Sequence, residues 1–388
     1  MGTTSVGRTV ILLAAAIAIL LTWRLTRDLN TYGISEDFAR PLRVSLPDWS
    51  TGLSAKSCGE CHVAVYEEWQ QTMHAQAWID PYFQVDWAYD KKKQNCLNCH
   101  TPLENQQPDL VLGFEDGDYW SPITEENPQF DPELRREGVT CVACHIRDGT
   151  VIGPYGSVDA PHPVAQDPSM ISGMGVCRRC HATPQANEWG TTSMSLCGTV
   201  EEIGLGGNEP DCIGCHMAEV TRSLAPGYPE RQGRLHLWQG GHTPSTVRKA
   251  LRVDVEPRKA NSSTRGYLLK LTNVGAHHHL PTGTPDRHLV LNVEVLDREG
   301  QIAYQETHKL IRRIIWRPII IDWSDTRLPY QETREYPFHF RYRKERAPYS
   351  IEVWVDYHLM ESWRQRQIGY QPEETLSYTV YREAFAIR

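Results

Sequence analysis

Ten of the eleven cysteines in this chain stand in five copies of one frame, C-x-x-C-H. The copies are Cys58, Cys61 and His62; Cys96, Cys99 and His100; Cys141, Cys144 and His145; Cys177, Cys180 and His181; and Cys212, Cys215 and His216. Two thiols three positions apart reach the two vinyl groups of one haem, and the imidazole of the next residue reaches its iron from the same side. A zinc reading needs four ligands per metal and gives histidine no reason to follow every pair. Disulfides fare no better, because cysteines three apart in identical frames are poorly placed to bridge distant loops. The frame therefore predicts five covalently attached haem c groups, with His62, His100, His145, His181 and His216 as proximal iron ligands.

The opposite axial position decides what such a chain does. A second strong ligand makes a six-coordinate electron carrier, whereas an open position makes a site for a small molecule. Sixteen histidines less the five proximal ones leave eleven candidates. Met170, Met174 and Met194 sit in no context that singles them out, and the odd Cys197 reads as a buried or merely tolerated thiol.

The elements that must hold these residues fall into four regions. Residues 1–27 carry an uncharged run, Thr9 to Trp23, with Arg8 before it and Arg24 and Arg27 after. No small-residue cleavage site follows, so the run is expected to be a retained transmembrane helix. Residues 28–50, with Pro41 and Pro47, read as a linker. Residues 51–248 hold all five motifs, at first-cysteine spacings of 38, 45, 36 and 35. Between them lie short helical candidates such as Ala64 to Ala77 and long loops rich in Pro and Gly, such as Thr101 to Pro132 and Gly153 to Gly175. So much loop buries too little apolar surface to offset its ordering entropy, unless haems act as core and cross-link together. This part is expected to be a mainly α and loop domain that does not fold without them.

From residue 249 to 388 the texture changes. Leu251 to Val255, Tyr267 to Val274, Leu289 to Leu296, Arg334 to Tyr342, Ile351 to Tyr357 and Leu376 to Tyr381 are short, β-branched and aromatic, with turn signals between them, which predicts an all-β sandwich. The region contains no cysteine. A net charge of −8, made more negative by haem propionates, argues against nucleic acid and suits a redox partner with a basic patch.

Several segments resemble the cytochrome c-554 type of multihaem cytochrome. They are SCGECHVAVYEEWQQTMHAQAW from Ser57, CLNCHTP from Cys96, EGVTCVACH from Glu137, and CIGCHMAEV with RLHLWQGGH between Cys212 and His242. The resemblance implies His74 as a distal ligand, in a W-x-x-S-x-H-A pattern where this chain has Thr72 in place of Ser. It implies His242 in the G-G-H segment with His236 as a second candidate, and His162 in APHPV. A family turn of the form G-H-x-x-P-T-G opens a C-terminal β-domain, and NVGAHHHLPTG from Asn273 matches it, with His278 as ligand and His277 and His279 as neighbours. His288, His308, His339 and His358 lie in or beside expected strands and read as structural. Trp69, Trp78, Trp87 and Trp120 are expected to pack on haem faces, and the Asp322, Asp325 and Arg327 turn to be structural rather than a cation site.

The expected function is electron transfer along bis-histidine haems between membrane and periplasmic redox proteins, possible donors including a quinol-oxidising complex. Haem attachment outside the cytoplasm puts the body in the periplasm or beyond, on an anchor in the cytoplasmic membrane. The alternatives are a quinol-dehydrogenase subunit, or an oxidoreductase for a small nitrogen or sulfur compound at a five-coordinate haem. The absence of a C-x-x-C-K frame and of an obvious acid–base cluster beside a motif favours the carrier.

Overall fold

The computed structural model describes residues 3–26, 36–48, 50, 52–157, 160–172, 174–182, 197–203, 211–258, 264–315, 321–342 and 347–387. Its best-packed part is the C-terminal β-region. Eight strands form two antiparallel sheets. One runs in the order Ile321–Asp325, Ile302–Ile315, His288–Asp297, Pro348–His358, Ser377–Ala386. The other runs Thr333–Arg341, Thr264–Asn273, Leu251–Arg258. Strict alternation makes the packing possible. Leu289, Leu291, Val293 and Val295 on one strand face Ile351, Val353 and Val355 on its neighbour, and all are buried. Leu269, Leu271, Phe338 and Phe340 of the second sheet close on the same core, with period-2 side chains presenting one face to it. All six strands expected from the sequence are present. Two more, Ile302–Ile315 and Ile321–Asp325, were not expected, because the charged run in QETHKLIRR hides the alternation.

The motif-bearing part is built differently. Its buried clusters are small: Leu103, Leu134, Val142, Ala143 and Ile146 in one, Ala55, Trp69 and Ala75 in another. Short helices and hairpins connect them. The helix expected over Ala64 to Ala77 is two helices, Val63–Gln70 and Met73–Gln76, broken where the Thr72 hydroxyl accepts from the Ala75 amide at 3.2 Å and starts the second. That cap accounts for a hydroxyl residue at this position, where Thr serves as well as Ser. The long stretch after Thr101 contains a hairpin, Asp109–Phe114 with Pro122–Glu126.

Residues 36–48, placed in a linker by the sequence reading, are docked on this part. Leu42, Val44 and Leu46 pack against the Leu103 cluster, and the Leu42 amide donates to Pro102 O at 2.7 Å. Alternation of apolar and polar residues, masked by two prolines, is what lets the segment bury. At the N-terminus the apolar run lies within a helix, Thr3–Thr26, whose described side chains from Gly7 to Thr22 are exposed. Among the described residues no helix is long and apolar enough to cross a membrane, so the expected transmembrane helix gains no support here.

Candidate haem-ligating site

Each motif rides a short helix: Ala55–Gly59 and the turn after it, Gln94–His100, Cys141–His145, Met174–His181 and Cys212–His216. Positions three and four apart share a helix face, so both thiols and the imidazole of each frame point the same way. In the first frame the helix ends at Gly59, yet the His62 amide still donates to Cys58 O at 2.9 Å and preserves the turn. Glu137 fastens this helix: its carboxylate accepts from Ser54 Oγ at 2.5 Å and from the Ala55 amide at 2.7 Å. The motifs also touch one another. The free thiols of Cys58 and Cys141, of Cys99 and Cys180, and of Cys177 and Cys212 lie close enough to influence one another. The first frame thus abuts the third, while the fourth abuts both the second and the fifth.

Four of the five proximal histidines face a second imidazole at nearly one distance. Ring centres are 6.1 Å apart for His62 and His162, 6.3 Å for His181 and His74, 6.2 Å for His145 and His236, and 6.3 Å for His216 and His278. Two metal–imidazole bonds of about 2 Å, plus about 1 Å from each nitrogen to its ring centre, require about 6 Å. The second nitrogen is committed in the right sense. Nδ1 of His62, His100, His145 and His216 lies 2.9, 2.7, 3.0 and 2.7 Å from the carbonyls of Leu224, Ala77, Ile152 and Gln239. On the distal side Nδ1 of His236 and His278 meets the Arg234 and His279 carbonyls at 3.0 and 2.8 Å. A donated Nδ1–H fixes the tautomer and leaves the Nε2 lone pair for iron. Burial favours the neutral ring at four of these positions, pushing His74 down to about 3 and His100, His236 and His278 to about 4. The residues fit covalently bound haems.

Several side chains surround these rings, and of them the sequence singled out only Asp325 and Arg327, as a structural turn. Trp238 stands edge-on to both His74 and His236, at 4.7 and 5.3 Å. Gly138, at φ +60, lies so close to His74 that a Cβ there would meet its carbonyl at 2.5 Å, and the following Val139 amide donates to that carbonyl at 2.9 Å. Glu68 grips Arg222 through two bonds of 2.5 and 2.9 Å and accepts the His236 amide at 2.8 Å. Beyond His278, the His279 amide donates to Glu202, whose carboxylate pairs with Arg327 at 2.5 Å, and Arg327 pairs with Asp325 at 2.6 Å. The Asp325 and Arg327 turn is thus an ion network; the Asp322 side chain lies outside the described ones.

His100 differs from the other four. The ring stacked on it is Phe83, 3.6 Å away and 6° from parallel, and no second histidine ring packs against it among the described residues. His242, the distal candidate left over, instead accepts from Arg287 Nη2 at its Nε2, 3.3 Å away. The helix that carries Phe83, Pro81–Tyr89, also carries Tyr82 and Asp86, and this is the acid cluster absent from the sequence reading. Tyr82 Oη lies 3.4 Å from Asp286 Oδ2, Arg364 pairs with Asp86 at 2.6 Å, and burial pushes Asp286 up to about 6. Asp86 and Asp286 are 200 positions apart, so no spacing could have joined them. Trp78 and Trp87 pack with Phe83 in the same group, Trp69 stacks on Tyr66, and Trp120 lies under the Lys93 ammonium. Cys197 is exposed, which leaves the tolerated thiol of the two alternatives. Met194 lies outside the described residues.

Residues 57–119 match the family described as cytochrome c554 and c-prime. Among solved structures the chain resembles a penta-heme cytochrome c552 from Thermochromatium tepidum, with a TM-score of 0.67 at 20% identity over 86% of this chain and 99% of that one. A glycosyl hydrolase family 2 member from Bacteroides cellulosilyticus DSM 14838 also matches, at 8% identity and a TM-score of 0.18 over 35% of this chain and 14% of that one, a likeness too slight to bear on fold or function. No curated protein matches. Fold and motifs together define a multihaem c-type cytochrome with haem c as its cofactor. The match to the cytochrome c554 and c-prime family is confined to residues 57–119 and does not reach the turn that bears His278.

Proposed function

We propose that this chain transfers electrons through five covalently bound haems, four of them ligated by the pairs His62–His162, His181–His74, His145–His236 and His216–His278. The observation that carries the reading is the near-constant 6.1–6.3 Å between those ring centres. Haem supplies the redox chemistry, and the chain supplies spacing, ligation and electrostatics. Two imidazoles per iron favour low to moderate potentials. The cysteine contacts support two groups, the first frame with the third and the fourth with the second and fifth, and the charge interaction between Cys144 and Cys180 supports a link from third to fourth. The exposure of Cys61 and Cys215 supports the first and fifth frames as the ports for a donor and an acceptor. A spectroelectrochemical titration tests this: five reversible haem transitions are expected, and haems that cannot be reduced in one connected set would refute it.

The lone His100 favours a second reading for one haem only. The frame Cys96–Cys99–His100 leaves an open axial position beside Tyr82, Asp86 and Asp286, suited to a small nitrogen or sulfur ligand. Nitrite or hydroxylamine would shift the spectrum of that haem alone if this holds, and leave all five unchanged if it does not. The exposed apolar side chains of Thr3–Thr26 support tethering at a membrane, with the body on the periplasmic side where haem is attached. Membrane or periplasmic redox proteins, a quinol-oxidising complex among them, are the proposed partners. Release of the protein from membranes by salt alone would count against the tether.

A further inference from the structure

We propose that Arg287 is a positioning residue that keeps His242 off the iron of the second motif, and so decides whether that haem is open or six-coordinate. The inference rests on the second reading above, in which His100 has no opposing histidine.

Five proximal and five distal candidates sort into four facing pairs, and the two left over are His100 and His242. His242 is occupied elsewhere. A guanidinium only donates, so at the 3.3 Å contact with Arg287 Nη2 the Nε2 of His242 must be the acceptor. That lone pair is the one an iron would need, and the two uses exclude each other. Arg287 also lies on the side of the second motif: its charge acts on Asp80, the N-cap of the helix Pro81–Tyr89 whose Phe83 stacks on His100.

The seat of Arg287 is built. A Cβ at Gly241 would come within 3.1 Å of its Nη1, and one at Gly283, where φ is +88, within 3.4 Å, so both glycines leave space for the guanidinium. The Tyr357 phenol bonds it from the β-sheet, and Tyr378 Oη donates to the Gly241 carbonyl, fixing the backbone next to His242. Arg287 directly precedes the strand His288–Asp297, so the β-region controls a ligand that belongs to the motif-bearing part. Arg stays charged at any accessible pH, so the donor is always present.

The test uses the full-length protein with all haems attached, followed by electron paramagnetic resonance of the oxidised form. The wild type is expected to show one high-spin haem. Arg287→Ala is expected to lose that signal as His242 binds, and Arg287→Ala/His242→Ala to regain it. A haem count by pyridine haemochrome, unchanged across the variants, separates loss of ligation from loss of folding, and Arg287→Lys, which keeps a donor, is expected to retain the high-spin signal. A high-spin signal that persists in Arg287→Ala would overturn the role of Arg287 while leaving the open haem intact. A wild type without any high-spin haem would overturn the open haem itself, and this inference with it.

Discussion

His278 and His216 face each other across 6.3 Å with their ring planes 10° apart, although one stands in the turn between the strands Thr264–Asn273 and His288–Asp297 of the β-region and the other closes the fifth C-x-x-C-H frame. If iron lies between them, neither region completes that site alone. His278→Ala should therefore convert one haem from low to high spin and raise its potential, as a strong ligand is lost. Electron paramagnetic resonance of the oxidised variant reads this directly, and an unchanged low-spin count would remove His278 from the ligand set.

The same turn is held by a buried ion network. The Arg327 and Glu202 side chains are 3% and 1% exposed, and taking away one member of such a pair leaves a charge without compensation. Glu202→Ala is expected to cost about 3 kcal/mol, part of it offset by the remaining Asp325 partner. Urea unfolding followed in the far-ultraviolet checks the figure; a loss well below about 1 kcal/mol would mean that water replaces the carboxylate.

Asp286 gives a pH dependence of definite sign. Burial raises its carboxyl from 3.8 to about 6, with Arg364 opposing and Asp86 reinforcing the shift. An acid whose folded pKa is raised favours the folded state while protonated, and that contribution is lost as pH rises from about 4 to about 6. Asp286→Asn should thus stabilise the protein by about 2 kcal/mol at pH 7, and the gain should vanish near pH 4. Thermal unfolding from pH 4 to 8 would show a variant curve parallel to wild type if Asp286 is not the group.

The two parts should respond oppositely to loss of haem. The C-terminal β-region encloses one continuous apolar core, whereas among the described residues the motif-bearing part has only the small clusters around Leu103 and Trp69. Expressed without haem attachment, the full chain should keep a protease-resistant C-terminal fragment and lose the rest. A resistant apo fragment spanning residues 52–248 would contradict the view that haem serves as core.

What the sequence made legible follows the physics of each part. The proximal set His62 to His216 needed only local spacing, and the strand alternation around Leu289 and Ile351 is likewise local. The distal histidines needed resemblance, because His74 meets His181 across 107 positions and no spacing connects them. Phe83 against His100 and Arg287 on His242 were invisible: both depend on where a helix and a strand end in space, and neither residue type suggests a role. Residues 36–48 passed for a linker because Pro41 and Pro47 outweighed the alternation of Leu42, Val44 and Leu46.

The most direct measurement is a spin count of the fully oxidised, haem-loaded protein by low-temperature electron paramagnetic resonance. Four low-spin haems with bis-histidine signatures and one high-spin haem are the expected result, matching four facing imidazole pairs and the solitary His100. Low-spin signals of histidine–methionine type, or more than one high-spin haem, would contradict the pairing on which the electron-transfer reading stands.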